Sequence, residues 1–123
     1  MTRNQLKKEF QRLSDDSNFP RPVDKRQRGR DFEKLIYNLL DNEGLQPSTG
    51  FRPEGEEIDG SFILGHSVFL IEAKWHQSAM PASSIYQFKG KVDGKLVGTI
   101  GVYISISGFS SEAVDALTFG KSI

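Results

Sequence analysis

The 123-residue chain contains no cysteine. That absence excludes a disulfide scaffold, thiolate zinc sites, iron–sulfur clusters and cysteine nucleophiles together. It has two histidines, His66 and His76, too few for a multi-histidine metal centre. No apolar run approaches the roughly 20 residues of a membrane span. The first thirty residues are polar and charged, so no signal peptide is legible. A cytoplasmic location is therefore expected, and the lack of cysteine is compatible with a reducing compartment. What remains is 37% apolar and 26% charged, which suits one soluble domain with an ordinary core.

The net charge of zero hides an asymmetry. Residues 1–34 carry ten Lys or Arg and six Asp or Glu, a balance of +4. Residues 35–80 carry two basic and seven acidic side chains, a balance of −5, and residues 81–123 stand at +1. A basic arm beside an acidic patch matches a phosphate-binding surface next to a cation site, and equally a solvated helix with ordinary surface charge.

Leu6, Phe10 and Leu13 fall at helical spacing, which predicts a short basic helix over residues 3–13. Residues 14–27, with Pro20 and Pro22, read as a linker. Phe32, Leu35, Ile36, Leu39 and Leu40 form one apolar face, predicting a helix over about 29–43 that Gly44 stops. Residues 45–57 read as an acidic loop with a short edge strand at its start. Ile58–Leu64 and Ser67–Lys74 are β-type runs around Gly65-His66, a two-residue type II′ hairpin signal. That turn fixes the register: Leu64 opposes Ser67, and every cross-strand pair of residue numbers sums to 131. A helix over 83–92 follows, with Ile85, Phe88 and Val92 inward, then a strand over Val97–Ser107. Ser110 is an N-cap for a helix near 111–119. Tyr86 and Phe88 read as packing residues, and Trp75 as an aromatic closing the core, with His76 beside it.

The register sets Asp59 directly opposite Glu72, where Cβ atoms stand roughly 4.5–5.5 Å apart. Two carboxylates that close repel each other. Lys74 lies on the same face of the same strand as Glu72, and one ammonium leaves negative charge uncompensated. A divalent cation with oxygen ligands, Mg²⁺ above all, is one remainder. A surface ion-pair cluster Asp59–Lys74–Glu72 is the other, and the residues alone leave both open. Glu33, beside the apolar stripe of the first long helix, reads by itself as a boundary carboxylate near Lys34 and Arg30.

Taken in order, these residues resemble a known family. Gly29-Arg30-Asp31-Phe32-Glu33 on a helix, Ile58-Asp59 at a strand, Glu72-Ala73-Lys74 on the next strand, and the Gly-rich strand and Phe-Ser turn within Gly101–Ala116 are similar to the Mrr-like restriction endonuclease domains of the PD-(D/E)-x-K nuclease superfamily. Two features depart from the pattern. The loop before Asp59 reads Gly55-Glu56-Glu57 where relatives often carry Gly-Asp-x-Gly, and the closing strand is absent or truncated. The resemblance implies an α/β class with a restriction-endonuclease-like core, a mixed β-sheet flanked by helices, and an extra N-terminal helix. It divides the chain into an N-terminal helix and linker, 1–27, and a nuclease domain, 28–123.

The activity it implies is Mg²⁺-dependent hydrolysis of DNA phosphodiesters, with Mn²⁺ able to substitute and RNA not excluded. Asp59, Glu72 and the Ala73 carbonyl would hold the metal, Lys74 would orient the water, Glu33 would complete the shell, and Gln87 would support the site. Lys25, Arg26, Arg28 and Arg30 are candidates to grip phosphates, or form a solvated helix start. Relatives of this kind work as homodimers, or as the cutting domain of a larger restriction, defence or repair protein. The competing expectation is a catalytically inactive nucleic-acid-binding or protein-interaction and oligomerisation domain of the same fold.

Overall fold

The structure, a computed structural model, describes residues 1–50 and 59–118, excepting the side chains of residues 49, 50, 59 and 118. Helix α1 spans Arg3–Leu13 and α2 spans Pro22–Asn42. Strands β1 (Ser48–Gly50), β2 (Asp59–Leu64) and β3 (Ser67–Lys74) follow, then α3 (Ala82–Asp93), β4 (Ile100–Ser105) and α4 (Ser111–Thr118). The four strands form one mixed sheet in the order β1-β2-β3-β4, antiparallel except for the parallel pair β3–β4. The expected hairpin is present, with Leu64 paired to Ser67 and the ladder running to Gly60 and Ile71. Gly65 takes a φ of +63°, the left-handed first position that a type II′ turn demands.

Helix α1 starts at a capping box, in which Thr2 and Gln5 exchange hydrogen bonds of 3.2 and 2.8 Å. The stretch 14–27 is not the linker the prolines suggested. It holds a single 3₁₀ turn, Asp16–Asn18, and the first turns of α2. Pro22 sits at the N-terminal turn of α2, where its fixed φ suits a helix and its missing N–H is no loss. Asp24 then accepts a 3.1 Å hydrogen bond from the Arg21 backbone N–H. The helix thus begins seven residues earlier than the apolar periodicity predicts.

The alternation of β3 sorts the two helical layers. Ala73 joins Leu6, Leu13, Phe19, Phe32 and Leu35 in the core that α1 and α2 build on one face. The opposite face carries Leu70 and Glu72, and α3 covers it. Gly101 explains how closely. A Cβ there would stand 2.8 Å from Phe88 and from Val92, so α3 lies against bare backbone. Gly101→Ala is expected to cost about 1–3 kcal/mol by overpacking, read from urea denaturation. Adding Val92→Ala should recover part of the loss; no recovery would place the strain elsewhere.

The predicted strand Val97–Ser107 is shorter at both ends. Thr99 closes a turn onto the Leu96 carbonyl at 3.1 Å and leaves Val97 fully exposed. After Ser105 the chain bends, and Met80 and Phe109 form a parallel bridge that ties the loop after β3 to the loop after β4. Ser110 caps α4, accepting from the Ala113 N–H at 3.1 Å. Among the described residues no helix is long and apolar enough to cross a membrane.

Candidate active site

Glu72, Ala73 and Lys74 form the C-terminal end of β3, held between β2 and β4. Strand alternation puts Glu72 and Lys74 on the α3 face and Ala73 on the α2 face. On β4, Glu72 pairs with Tyr103 and Lys74 with Ser105. The Glu72 carboxylate is 13% exposed and meets two ammonium groups, Lys74 at 3.5 Å and Lys91 at 3.4 Å. Burial pushes the Lys74 ammonium below the ordinary lysine value; the charge of Glu33 opposes that shift and the charge of Lys91 adds to it. Burial likewise pushes the Tyr103 hydroxyl up, helped by Glu72 and opposed by a hydrogen bond with Ser84.

Two clefts meet at Glu72. One, of about 440 Å³, lies between α2 and the sheet and is lined by Arg30, Glu33, Tyr37, Leu40, Ile71 and Ala73 among others. The other, of about 400 Å³, lies under α3 and is lined by Lys74, His76, Ser84, Gln87, Lys91 and Tyr103. Glu72 belongs to both walls.

The structure therefore brings together Glu33, Glu72, Ala73, Lys74 and Gln87 around this junction. Asp59 is the first residue of β2, one position beyond the last pair of the β2–β3 ladder, as Glu72 is on β3. Its side chain lies outside the described residues, and so do Ile58 and the loop Gly55-Glu56-Glu57. Among the described residues no three acidic or histidine side chains converge as a metal cluster.

The basic set divides. Lys25, Arg26 and Arg30 are exposed, and Arg30 lines the α2 cleft. Arg28 does not belong with them. It is 3% exposed, its guanidinium lies 4.9 Å over the Phe19 ring and 5.1 Å over the Trp75 ring, and it reaches Asp16 at 2.8 Å. A phosphate cannot reach it, so its role is packing. Trp75 packs as expected, edge-on to Phe32 at 5.3 Å. Tyr86 does not; it is half-exposed because Ile85 and Phe88 take the inward side of α3.

Two site residues escaped the sequence reading, Lys91 and Tyr103. Lys91 lies one turn beyond Gln87 on α3, the residue that the resemblance alone had singled out, and its own spacing on the helix says nothing of Glu72.

A mixed sheet between two helical layers, with an acid and a lysine two residues apart at a strand end, is the layout of a restriction-endonuclease-like nuclease core. The restriction endonuclease family model Mrr_cat matches residues 25–122, and the chain belongs to that family. It is an Mrr-like nuclease domain of the PD-(D/E)-x-K superfamily. No curated protein matches it in sequence. Among solved structures it is similar to the MspJI restriction endonuclease in complex with a 27-mer oligonucleotide, at 19% identity and a TM-score of 0.45. That match covers 93% of this chain and 26% of the other, so the chain spans about a quarter of that protein's length.

Proposed function

We propose that this domain hydrolyses DNA phosphodiester bonds with Mg²⁺, as the cleavage module of a restriction, defence or repair system in the cytoplasm. The observation that carries the reading is the Glu72/Lys74 pair, two same-face residues on β3 where two clefts meet, with Glu33 acting on Lys74 from the other helical layer. The donor set fits a hard cation. Asp59 and Glu72 offer carboxylates, Ala73 a backbone carbonyl, and no thiolate competes. Glu72 and Glu33 stand with the ammoniums of Lys74 and Lys91, and a third carboxylate from Asp59, which the hairpin register would bring to the same strand end, would make the cluster negative. That balance supports a cation even with Lys91 beside Lys74 at the Glu72 carboxylate.

Asp59, Glu72 and the Ala73 carbonyl would hold the divalent cation, which when bound would supply a more acidic water and a polarised phosphoryl oxygen. The chain's own groups do the rest. Lys74 places a compact positive charge where the phosphate gains negative charge, and orients the attacking water. The charge of Glu33 opposes the burial that lowers the Lys74 ammonium. Gln87, on the wall of the α3 cleft, offers an amide to the phosphate or to water. Lys25, Arg26 and Arg30 supply phosphate contacts along the exposed side of α2. A homodimer, or attachment to a larger protein, would supply recognition of the duplex.

Supercoiled plasmid incubated with Mg²⁺, Mn²⁺ or EDTA tests this. Nicking is expected with either metal and not with EDTA. It should fall by about 100-fold or more in Asp59→Ala and Glu72→Ala, since the metal contributes several kcal/mol of charge stabilisation. Mn²⁺ binding measured by calorimetry should vanish in the double variant, and its survival there would sink the metal site. DNA binding without cleavage under every condition would leave a non-catalytic fold.

A further inference from the structure

The α2 cleft has a chemistry that neither the metal ligands nor Lys74 uses. Its floor is apolar, made by Ile36 and Leu40 of α2 facing Ile71 of β3. Its outer rim is polar and cationic. Arg30, Lys34 and Tyr37 stand three and four residues apart on α2, so they form one stripe along the helix, and Arg26 extends it by a further turn. Glu33, and Glu72 where the two clefts meet, also line it. The volume, about 440 Å³, lies within the range of small-ligand sites, which are mostly apolar with a few polar groups at the edge.

A flat apolar body with an attached anion fits this arrangement, and one end of it must face the nuclease acids. A nucleotide has that shape: a base for the floor and Tyr37, and a phosphate for Arg30 and Lys34. We infer that the α2 cleft is a subsite for a single unstacked nucleotide of the substrate strand, next to the bond that is cut. The inference rests on the DNA-cleaving reading above and deepens it. A base can enter the cleft only after leaving its stack, so the strand at the site is locally single. The cations across the junction, Lys74 and Lys91, then face the continuation of the same backbone in the α3 cleft. The charge of the rim argues for a nucleic-acid strand over an apolar peptide, which would leave Arg30 and Lys34 without counter-charge.

Fluorescence anisotropy in EDTA tests it, with one labelled deoxyoligonucleotide offered single-stranded and as a blunt duplex, and its RNA counterpart as a third arm. The single strand should bind more tightly than the duplex. Tyr37→Ala should weaken single-strand binding about tenfold, the usual effect of losing one base–aromatic stack, and leave duplex binding nearly unchanged. Arg30→Ala with Lys34→Ala should lower the slope of log affinity against log salt by about one to two, as expected for one or two lost phosphate contacts. Melting curves confirm that each variant is folded. Wild type that cuts plasmid while both variants bind the single strand like wild type would overturn the subsite alone. Wild type that neither binds nor cuts would overturn the nuclease reading and the subsite with it. Equal binding of the RNA strand would keep the subsite and widen the substrate class.

Discussion

Lys74→Met is expected to reduce plasmid cleavage by about 100- to 1000-fold, the usual loss when one preorganised donor to a developing oxyanion is removed, while leaving the fold intact. Methionine keeps the apolar stem and deletes only the charge. That charge is unwelcome in the folded chain. Burial holds the Lys74 ammonium below its ordinary value of 10.5, and Glu33 only partly offsets this. The unfolded chain therefore holds the Lys74 proton more readily than the folded one. The ionised lysine costs stability at every pH below its folded value, and the cost fades as the pH rises from there toward 10.5. Lys74→Met should accordingly melt no lower than wild type near neutral pH, in metal-free buffer, with any gain shrinking on the alkaline side. Glu72 keeps Lys91 at 3.4 Å in the variant, so no buried carboxylate is stranded. A variant that cuts like wild type would remove Lys74 from the chemistry. A variant that melts far lower would make it a structural residue instead.

The hairpin was legible because a two-residue loop leaves the register no freedom. Gly65-His66 set the pairing by counting, and the ladder from Leu64–Ser67 to Gly60–Ile71 follows it. The start of α2 was misplaced because a proline can end a helix or begin one, and only its position relative to Asp24 tells which. Arg28 was grouped with its charged neighbours Arg26 and Arg30. Yet it lies four residues before Phe32 and seven before Leu35, on the buried stripe, so the periodicity carried its burial. Lys91 is different. Helical spacing puts it beside Gln87, but only the packing of α3 on the Glu72 face of the sheet brings it to that carboxylate. A sequence names the faces of an element; which faces meet is decided by the tertiary fold.

Arg28→Ala is expected to destabilise the domain by about 2–4 kcal/mol, from the cavity left between two aromatic rings and the loss of cation–π contacts on both. The loss should be far larger than that of Asp16→Asn. Asp16 is 88% exposed and asparagine keeps its Oδ1 acceptor, so Asp16→Asn leaves the buried guanidinium a hydrogen bond and loses only the partner's charge. The Leu13 carbonyl, 3.4 Å from the same nitrogen, stays in place in Asp16→Asn and cannot rescue Arg28→Ala. The consequence reaches the site through Trp75, which follows Lys74 directly and is held by Arg28 on one side and by Phe32 and Phe10 on others. Loosening that ring frees the end of β3, so Arg28→Ala should lose cleavage even at temperatures where it remains folded. Its salt dependence of DNA binding should match wild type, because a guanidinium buried between rings never touched a phosphate. Urea denaturation gives the first result and a salt titration of anisotropy the second. Wild-type stability together with a shallower salt slope would return Arg28 to the phosphate-gripping set and leave the anchoring of β3 to Phe32 and Phe10.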